Sequence, residues 1–410
     1  MSTLWACVVL PAVGCDRSAL DEPSAVQPTS MLELLTWWRS PGEVDALKEL
    51  TRMYMDRHAG VRVFNASAGR SDVLQRILSD RLEAYDPPDL MQVNVREIRQ
   101  LRVRFPHALQ NLDDWVDAMG LRSWMLPEGI ADVTSEGHVL AVPINFHRHN
   151  SLIYNKAIFA AHGLKPPETV ADLVTVCTKL KSAGVTPIAT AHQGWMLTIM
   201  FNSIAAGHMG SRAFRDFFTG ADQSTLPRLR EALLIFQDLV AHSANPDAAE
   251  EGFGWTNAAQ ALYNGDAAMF IHGDWVKAYL TQLGWRPGVD FDVIAAPGTA
   301  DMFLYTTDSF SFPIGAKNAS GARDFLAMAT SPEAQVAFNE IKGSSPIRLD
   351  VQRAALDPVA RATFVALERA SIRMSSPNSN ALDEAMMRFV KDGDLAHAEA
   401  AFVGYAQSAR

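Results

Sequence analysis

The strongest constraint on this chain is a repeated alternation of short apolar runs with helical segments, which starts at residue 31. "MLELLT" (31–36) and "VRVFNA" (61–66) predict strands. Residues 40–58 and 72–83 carry apolar side chains at helical spacing. This is the rhythm of βαβ units, and it predicts an α/β fold with a mostly parallel sheet. Ligands of such sheets bind beyond the carboxyl ends of the strands.

Size and charge narrow the class of protein. A chain of 410 residues with 48% hydrophobic content has room for two domains. The net charge of −10 disfavours nucleic acid and anionic membranes as main partners. Beyond the N-terminal leader, no apolar run in the sequence is long enough to span a bilayer.

The N-terminus has the pattern of an export signal. Residues 4–14 are apolar and end in small residues before Cys15, although Met1 to Thr3 lack a basic residue. "LPAVGC" resembles a bacterial lipoprotein box, which predicts a signal over 1–15, lipid attachment at Cys15 and a flexible tether over 16–30. A simple cleaved signal peptide and a misassigned start are the alternatives.

Cysteine usage gives little support to cysteine chemistry. Two of the three cysteines, Cys7 and Cys15, lie in the leader, and Cys177 is expected on the buried face of a helix. We therefore expect no disulfide in the mature protein, no metal site and no cofactor.

Two adjacent tryptophans, Trp37 and Trp38, end the first predicted strand. Neighbouring side chains of a strand point to opposite faces, so one ring is expected in the core and the other exposed. An exposed ring beside polar groups suits a sugar, whereas two buried rings are the simpler alternative. Glu43 closes a capping box that begins at Ser40, and its carboxylate could equally accept sugar hydroxyls.

Further aromatic and charged residues follow other predicted elements. Trp275 comes directly after Asp274 at the end of an apolar run, and Trp255 lies upstream. Asp308 and Lys342 each interrupt an apolar neighbourhood. Each residue alone is more often a turn or surface residue, so the constellation matters more than any member.

Six motifs in order carry a family resemblance: "LTWWRSPGE", "DPPDLMQVN", "AVPINFHRHN", "GDAAMFIHGDW", "APGTADMFLYTTDSFSFP" and "FNEIKGS". Their order resembles the glucose-type members of the family 1 extracellular solute-binding proteins of ABC importers, over residues 31 to about 345. The resemblance implies a two-lobed periplasmic-binding-protein fold of type II with the ligand in the interlobe cleft. It also implies one lobe of residues 31–144 plus 305–342 and another of 145–304 plus 343–410.

The resemblance also implies a set of ligand contacts: Trp37, Trp38, Glu43, Gln92, Asn94, Trp255, Trp275, Asp308 and Lys342. His147 and Arg148 fall at the crossover, where we expect hinge structure first. Two departures touch the cleft. The loop after the second strand is short and contains Arg70, and Ser375, Ser376 and Asn378 replace a late histidine–glycine pair.

These residues predict a receptor rather than a catalyst. We expect a monomeric periplasmic protein that binds glucose or a related mono- or disaccharide, delivers it to an ABC permease, and touches the membrane only through a lipid anchor. A glycosidase-like enzyme is one alternative, because tryptophans with Asp and Glu also form glycosidase sites. A sensor that presents bound sugar to a membrane kinase or chemoreceptor is another.

Overall fold

A computed structural model describes residues 30–220, 222–243 and 254–408. The predicted signal, the lipid attachment at Cys15 and the tether up to residue 29 lie outside the described residues. Ser30, expected as the last tether residue, is already the first residue of a strand. Across the three described ranges, no helix combines the length and the apolarity needed to cross a membrane.

The first stretch of the chain alternates strands and helices as expected. Its elements are β1 (Ser30–Thr36), α1 (Pro41–Arg57), β2 (Val61–Ser67), α2 (Ser71–Glu83), β3 (Leu90–Val93), α3 (Val95–Arg104), α4 (Asp113–Ala118), α5 (Leu121–Trp124), α6 (Pro127–Asp132), β4 (Thr134–Ser135), β5 (His138–Val139) and β6 (Val142–Pro143). The predicted capping box starts α1: the Ser40 backbone N–H and hydroxyl both donate to Glu43 Oε2, at 3.2 and 2.8 Å.

The middle stretch is richer in helix. Its elements are β7 (His147–Arg148), β8 (Ser151–Asn155), α7 (Lys156–Ala161), α8 (Val170–Ser182), β9 (Thr186–Ile188), α9 (Gly194–Met209), α10 (Ser211–Phe218), α11 (Leu226–Ala241), α12 (Gly254–Asn264), β10 (Ala267–His272), α13 (Val276–Gln282), β11 (Phe291–Ala295) and β12 (Met302–Thr306). Thr169 caps α8, since its hydroxyl accepts from the Asp172 N–H at 3.1 Å. Cys177 is buried on that helix, as expected.

The last stretch returns to the first sheet and ends in helices. Its elements are β13 (Ser309–Ser311), α14 (Ala319–Ala329), α15 (Pro332–Lys342), a 3₁₀ turn (Arg353–Ala355), α16 (Pro358–Arg369), β14 (Ile372–Ser375), α17 (Asn380–Asp392) and α18 (Leu395–Ser408). Helix α15 ends at Lys342 because Gly343 terminates it with φ +77°, a left-handed conformation that glycine adopts without strain.

The strands form two main sheets and a small sheet where the chain crosses between them. The strand orders are β2-β1-β3-β13-β6, β11-β8-β10-β9 and β14-β12-β7, with a β4–β5 hairpin beside them. Strand β1 runs parallel to β2 and β3, but β13 runs antiparallel to β3 and β6. Strand β8 runs antiparallel to β10 and β11. The expected mostly parallel sheet is therefore only partly right. Strands β1 to β3, β9 with β10, and β12 with β14 pair in parallel, whereas β7, β8 and β13, which lie on or next to the crossing segments, pair antiparallel to their neighbours.

Two short segments carry the chain between the sheets. Residues 142–155 pass from β6 in the first sheet through β7 to β8 in the second, and residues 291–311 return through β12 to β13. Side chains of β12 alternate between two cores: Phe303 and Tyr305 pack in the first, while Met302 and Leu304 pack in the second. Because successive side chains of a strand point to opposite faces, this one crossing strand contributes side chains to the cores of both halves.

The C-terminal segment divides its side chains between the cores. Ile347 and Phe364 pack in the first core, whereas Phe389 of α17 and Phe402 of α18 pack in the second. The expected lobe boundaries stay a prediction. In this packing the chain passes from the first core to the second for the last time near β14, and not at residue 343.

Candidate functional site

A cavity of about 680 Å³ lies between the two halves, bordered by the crossing segments. It is walled by the residues after β1 and β3, the first turn of α9, and parts of α12 and α17. This is the carboxyl edge of β1 and β3, where the alternating pattern predicts a ligand site. Seven of the nine expected contacts line it: Trp37, Glu43, Asn94, Trp255, Trp275, Asp308 and Lys342.

The two adjacent tryptophans separate as strand geometry requires. Trp37 is half-buried and lines the cavity, whereas Trp38 is only 1% exposed. The Trp38 ring packs against Phe310 and Phe338, with centroids 6.0 and 5.6 Å away, and Lys342 Nζ lies 5.3 Å from its centroid. The expected ligand contact by Trp38 is therefore wrong. Its ring belongs to the core beneath Lys342 and offers no face to the cavity.

Gln92 supports the cavity wall from its buried side. Its side chain is completely buried and does not line the cavity, so the expected direct contact is also wrong. Its Oε1 accepts from the Trp37 backbone N–H at 3.0 Å, and its Nε2 donates to Asp308 Oδ1 at 2.9 Å. Gln92 therefore fixes the end of β1 relative to Asp308.

Asp308 is the centre of a buried polar network. Its Oδ2 accepts from Asn145 Nδ2 at 2.9 Å and lies 3.7 Å from Lys342 Nζ. Burial raises the pKa of Asp308, but Lys342, His147 and Asn145 lower it by more, so the net pKa is well below the usual range. The carboxylate is therefore ionised at neutral pH and can accept hydrogen bonds from a ligand.

Lys342 and Glu43 bring a second pair of charges to the same wall. Lys342 is the last residue of α15, and its Nζ lies 3.3 Å from Glu43 Oε1 and 3.0 Å from His147 Nε2. Glu43 caps α1 through Oε2 while Oε1 faces Lys342. Glu43 is therefore a helix cap that also lines the cavity, and its contact with a ligand stays a prediction.

His147 connects this network to the crossing segment. Its Nδ1 lies 2.6 Å from Asp274 Oδ1, which places the ring proton on Nδ1, and its Nε2 faces Lys342 and Asp308. Burial and Lys342 lower the pKa of His147, but Asp274 and Asp308 raise it by more, so the net direction is upward. The structure places His147 in β7, paired with β12, and also in the cavity wall.

Arg148 has a structural role next to it. Its guanidinium is buried, burial lowers the pKa of Arg148 to about 10, and one terminal nitrogen donates to the Met302 carbonyl at 3.1 Å. The Arg148 backbone N–H donates to Asp274 Oδ2 at 2.9 Å. It therefore holds the crossing strands together, in keeping with the expected hinge position.

Trp275 forms the aromatic wall of the other half. Three histidine rings, His147, His149 and His272, meet its ring edge-on with centroids 4.9 to 5.5 Å away. Burial lowers the pKa of His149 to about 3 and also lowers the pKa of His272, so both imidazoles are neutral. A Cβ on Gly273 would lie 2.0 Å from the Trp275 ring, which shows that the ring packs directly on that glycine.

The sequence did not reveal Trp195, which lies in the first turn of α9. Its ring is half-buried, lines the cavity, and lies 6.3 Å from Trp275 at an interplanar angle of 31°. The available signal was "HQGWML", a tryptophan between a short strand and a helix, which is the same placement as Trp37. Trp255 lines the cavity too, but it is 7% exposed and packs on Tyr279, so it mainly supports the wall.

An ion pair spans the cavity at the end away from Lys342. Arg96 of α3 lies 3.5 Å from Asp383 of α17, whose other oxygen accepts from the Thr198 hydroxyl at 2.8 Å. Burial raises the pKa of Asp383 despite these two partners. Asn94 lines the cavity nearby, with its Oδ1 accepting from the Arg96 backbone N–H as the cap of α3.

The two departures from the family pattern both lie in this region. Arg70 lines the cavity and pairs with Asp72 at 2.8 Å. Asn378 also lines it, while Ser375 and Ser376 line an adjoining cavity. Within the described ranges, no group of three or more His, Cys, Asp or Glu residues is placed to hold a metal ion.

Comparison with known proteins agrees with this architecture. The sequence profile described as bacterial extracellular solute-binding protein matches residues 40–336. An uncharacterized ABC transporter extracellular-binding protein of Pyrococcus horikoshii is 31% identical over 389 residues, which cover 93% of this chain and 86% of that relative. The chain belongs to the bacterial extracellular solute-binding protein family. The predicted resemblance is confirmed, and the solute-binding protein is not an enzyme.

Two further comparisons support the assignment. A probable sugar-binding periplasmic protein of Brucella suis is 26% identical to this solute-binding protein over 84% of the chain and 81% of the relative. The solved structure of the bacterial solute receptor AcbH, reported to prefer β-D-galactopyranose, matches with a TM-score of 0.76 at 18% identity, over 93% of this chain and 98% of that one. The expected two-lobed α/β fold is confirmed.

Proposed function

We propose that this solute-binding protein is the sugar receptor of an ABC importer, with a neutral mono- or disaccharide as ligand and glucose as one candidate. The observation that carries the proposal is the cavity lining, which combines the tryptophans Trp37, Trp195 and Trp275 with the preassembled charged side chains of Glu43, Asp308 and Lys342. The periplasmic relative from Brucella suis, named a probable sugar-binding protein, supports the same substrate class.

The residues have complementary roles toward a sugar. Trp37 and Trp275 offer faces on which the C–H face of a pyranose packs. Asp308 and Glu43 accept hydroxyl protons, and Lys342 donates to hydroxyl oxygens. A hydrogen bond to a charged group contributes roughly 1.5–3 kcal/mol, so a few such bonds select among sugars that differ in one hydroxyl.

The two halves would close on the bound sugar and present it to the permease. A ligand shifts the equilibrium toward the closed form by its differential affinity for that form. The crossing strands, the Arg96–Asp383 pair and the close packing of Gly42 in α1 on Ala278 in α13 are among the contacts between halves that such a movement would involve. Periplasmic location, a monomeric state and lipid anchoring at Cys15 belong to this proposal.

The first test is a thermal-shift panel of neutral monosaccharides and disaccharides, followed by calorimetry. A ligand that binds only the folded protein raises its melting temperature. In the Trp275→Ala variant, loss of stacking should weaken binding at least about tenfold. Trp124→Ala is the control, since Trp124 is half-buried beside Arg348 and outside the cavity.

The outcome separates the alternatives. A shift by a sugar, lost in the cleft variant and kept in the control, supports the receptor and its site. Binding that is unchanged in Trp275→Ala contradicts the stacking role, and no shift across the panel contradicts sugar as the ligand.

A further inference from the structure

A second cavity of about 530 Å³ adjoins the cleft. It lies between α3 on one side, and the residues after β14 together with α18 on the other. Arg96, Asn378 and Asn380 line both cavities, so the two share one boundary. We call this second cavity the side chamber.

The chemistry of the side chamber suits a polyhydroxylated group. Its lining residues are mostly small or polar: Ser375, Ser376, Asn378, Ser379, Asn380, Gly404 and Ser408. Tyr405 adds a half-buried aromatic ring. Hydroxyl and amide groups beside one aromatic ring form the kind of surface that a sugar unit contacts.

Charge differs between the two cavities. Among the described residues that line the side chamber, two are arginines, Arg96 and Arg99, and none is acidic. The cleft beside it carries several carboxylates, including Asp308 and Asp383. A positively charged amino sugar is therefore disfavoured in the side chamber, and an uncharged unit fits it.

The two cavities together are larger than a single monosaccharide requires. A hexose has about twelve non-hydrogen atoms and at the packing density of organic crystals fills on the order of 200 Å³. The cleft alone offers about 680 Å³ and the side chamber about 530 Å³. A single ring held between Trp275 and Lys342 would leave the region beyond Arg96 to water.

We propose that the ligand is an oligosaccharide of at least two units, one held between Trp275 and Lys342 and a following unit reaching past Arg96 and Asn378 into the side chamber. This rests on the proposed function, since it names the length of the sugar. The side chamber then acts as a length-selecting subsite, because only a longer ligand contacts it.

Gly404 allows a direct test. It lies in α18 and lines the side chamber but not the cleft, and a Cβ at this position meets nothing within 4 Å. Gly404→Trp therefore adds bulk at the side chamber without a collision at the backbone. Gly404→Ala is the control, because it also removes the helix-weakening glycine but adds no ring.

The experiment is calorimetry of the wild type and both variants with two series: glucose, maltose and maltotriose, and xylose, xylobiose and xylotriose. In at least one series, we expect the wild type to bind the longer sugars at least tenfold more tightly than the monosaccharide. Gly404→Trp should remove this advantage without changing monosaccharide affinity, and Gly404→Ala should match the wild type. Melting temperatures check that both variants fold.

The opposing outcomes are distinct. A monosaccharide that binds as tightly as its longer homologues overturns the proposal while leaving the sugar receptor intact. A length preference that survives in Gly404→Trp overturns the role of the side chamber. If neither these six sugars nor any sugar of the thermal-shift panel binds, the proposed function fails, and the oligosaccharide fails with it.

Discussion

Replacing Asp308 with asparagine should destabilise the protein although it hardly changes the shape of the side chain. The carboxylate accepts from Gln92 and Asn145 and lies 3.7 Å from Lys342 Nζ. The amide keeps one acceptor oxygen, but its NH₂ group must face other donors and the Lys342 charge loses one counterion. Hydrogen bonds to buried charged groups contribute about 1.5–3 kcal/mol, so we expect a loss of roughly 2–3 kcal/mol in the free energy of unfolding.

The pH dependence of this loss identifies its cause. The pKa of Asp308 is lower in the folded protein than the unfolded value of about 3.9, so ionisation stabilises the fold above that pH. This contribution disappears as the pH falls below the unfolded pKa toward the folded one. The difference between wild type and Asp308→Asn should therefore be complete at pH 7 and should shrink below about pH 4.

Thermal unfolding from pH 3 to pH 7 measures both quantities. For cooperative unfolding of a chain of 410 residues, a loss of this size lowers the melting temperature by roughly 2–4 °C at pH 7. The control is Asp80→Asn, which changes an exposed carboxylate on α2 and should leave the melting temperature nearly unchanged. An equal loss at pH 3 and pH 7 would refute the role of the charge. A variant as stable as the wild type at pH 7 would refute the network.

Two further predictions concern the aromatic wall and the N-terminus. Gly273→Ala should raise the dissociation constant for the sugar at least tenfold by calorimetry, because a Cβ 2.0 Å from the Trp275 ring displaces it; Gly404→Ala should not affect monosaccharide binding. Unchanged affinity in Gly273→Ala would contradict the placement of the ring in the site. Cys15→Ala should abolish labelling of the protein by radioactive fatty acid in cells, and labelling that persists would exclude Cys15 as the site of lipid attachment.

The parts of the fold that the sequence predicts are those specified by local chemistry. Ser40 and Thr169 cap their helices through side chains only three residues away, and Gly343 ends α15 by its own conformation. Strand direction is different, because it depends on which strand lies alongside. Nothing near Ser309–Ser311 in the sequence indicates that this strand lies antiparallel to β3, more than 200 residues earlier.

The same distinction explains the site. The change of face between Trp37 and Trp38 follows from strand geometry alone, but which ring faces the core depends on the packing of Phe310 and Phe338. The family resemblance implied that Gln92 contacts the ligand. Its burial follows from Asp308, which arrives from a distant segment to accept its hydrogen bond.

The charged centre of the site lies on the crossing segments themselves. Asp308 stands between β12 and β13, and Asn145 stands between β6 and β7. The Asp308 backbone N–H donates to Asn145 Oδ1 at 2.8 Å, Asn145 Nδ2 returns a bond to the Asp308 carboxylate, and the Ile144 N–H donates to the Asp308 carbonyl. On the proposed function, a sugar that bonds to Asp308 contacts a residue that lies on one crossing segment and is hydrogen-bonded to the other. Under this proposal the same carboxylate would bind the ligand and link the crossing segments, so occupancy and the relative position of the halves would be coupled without any longer chain of contacts.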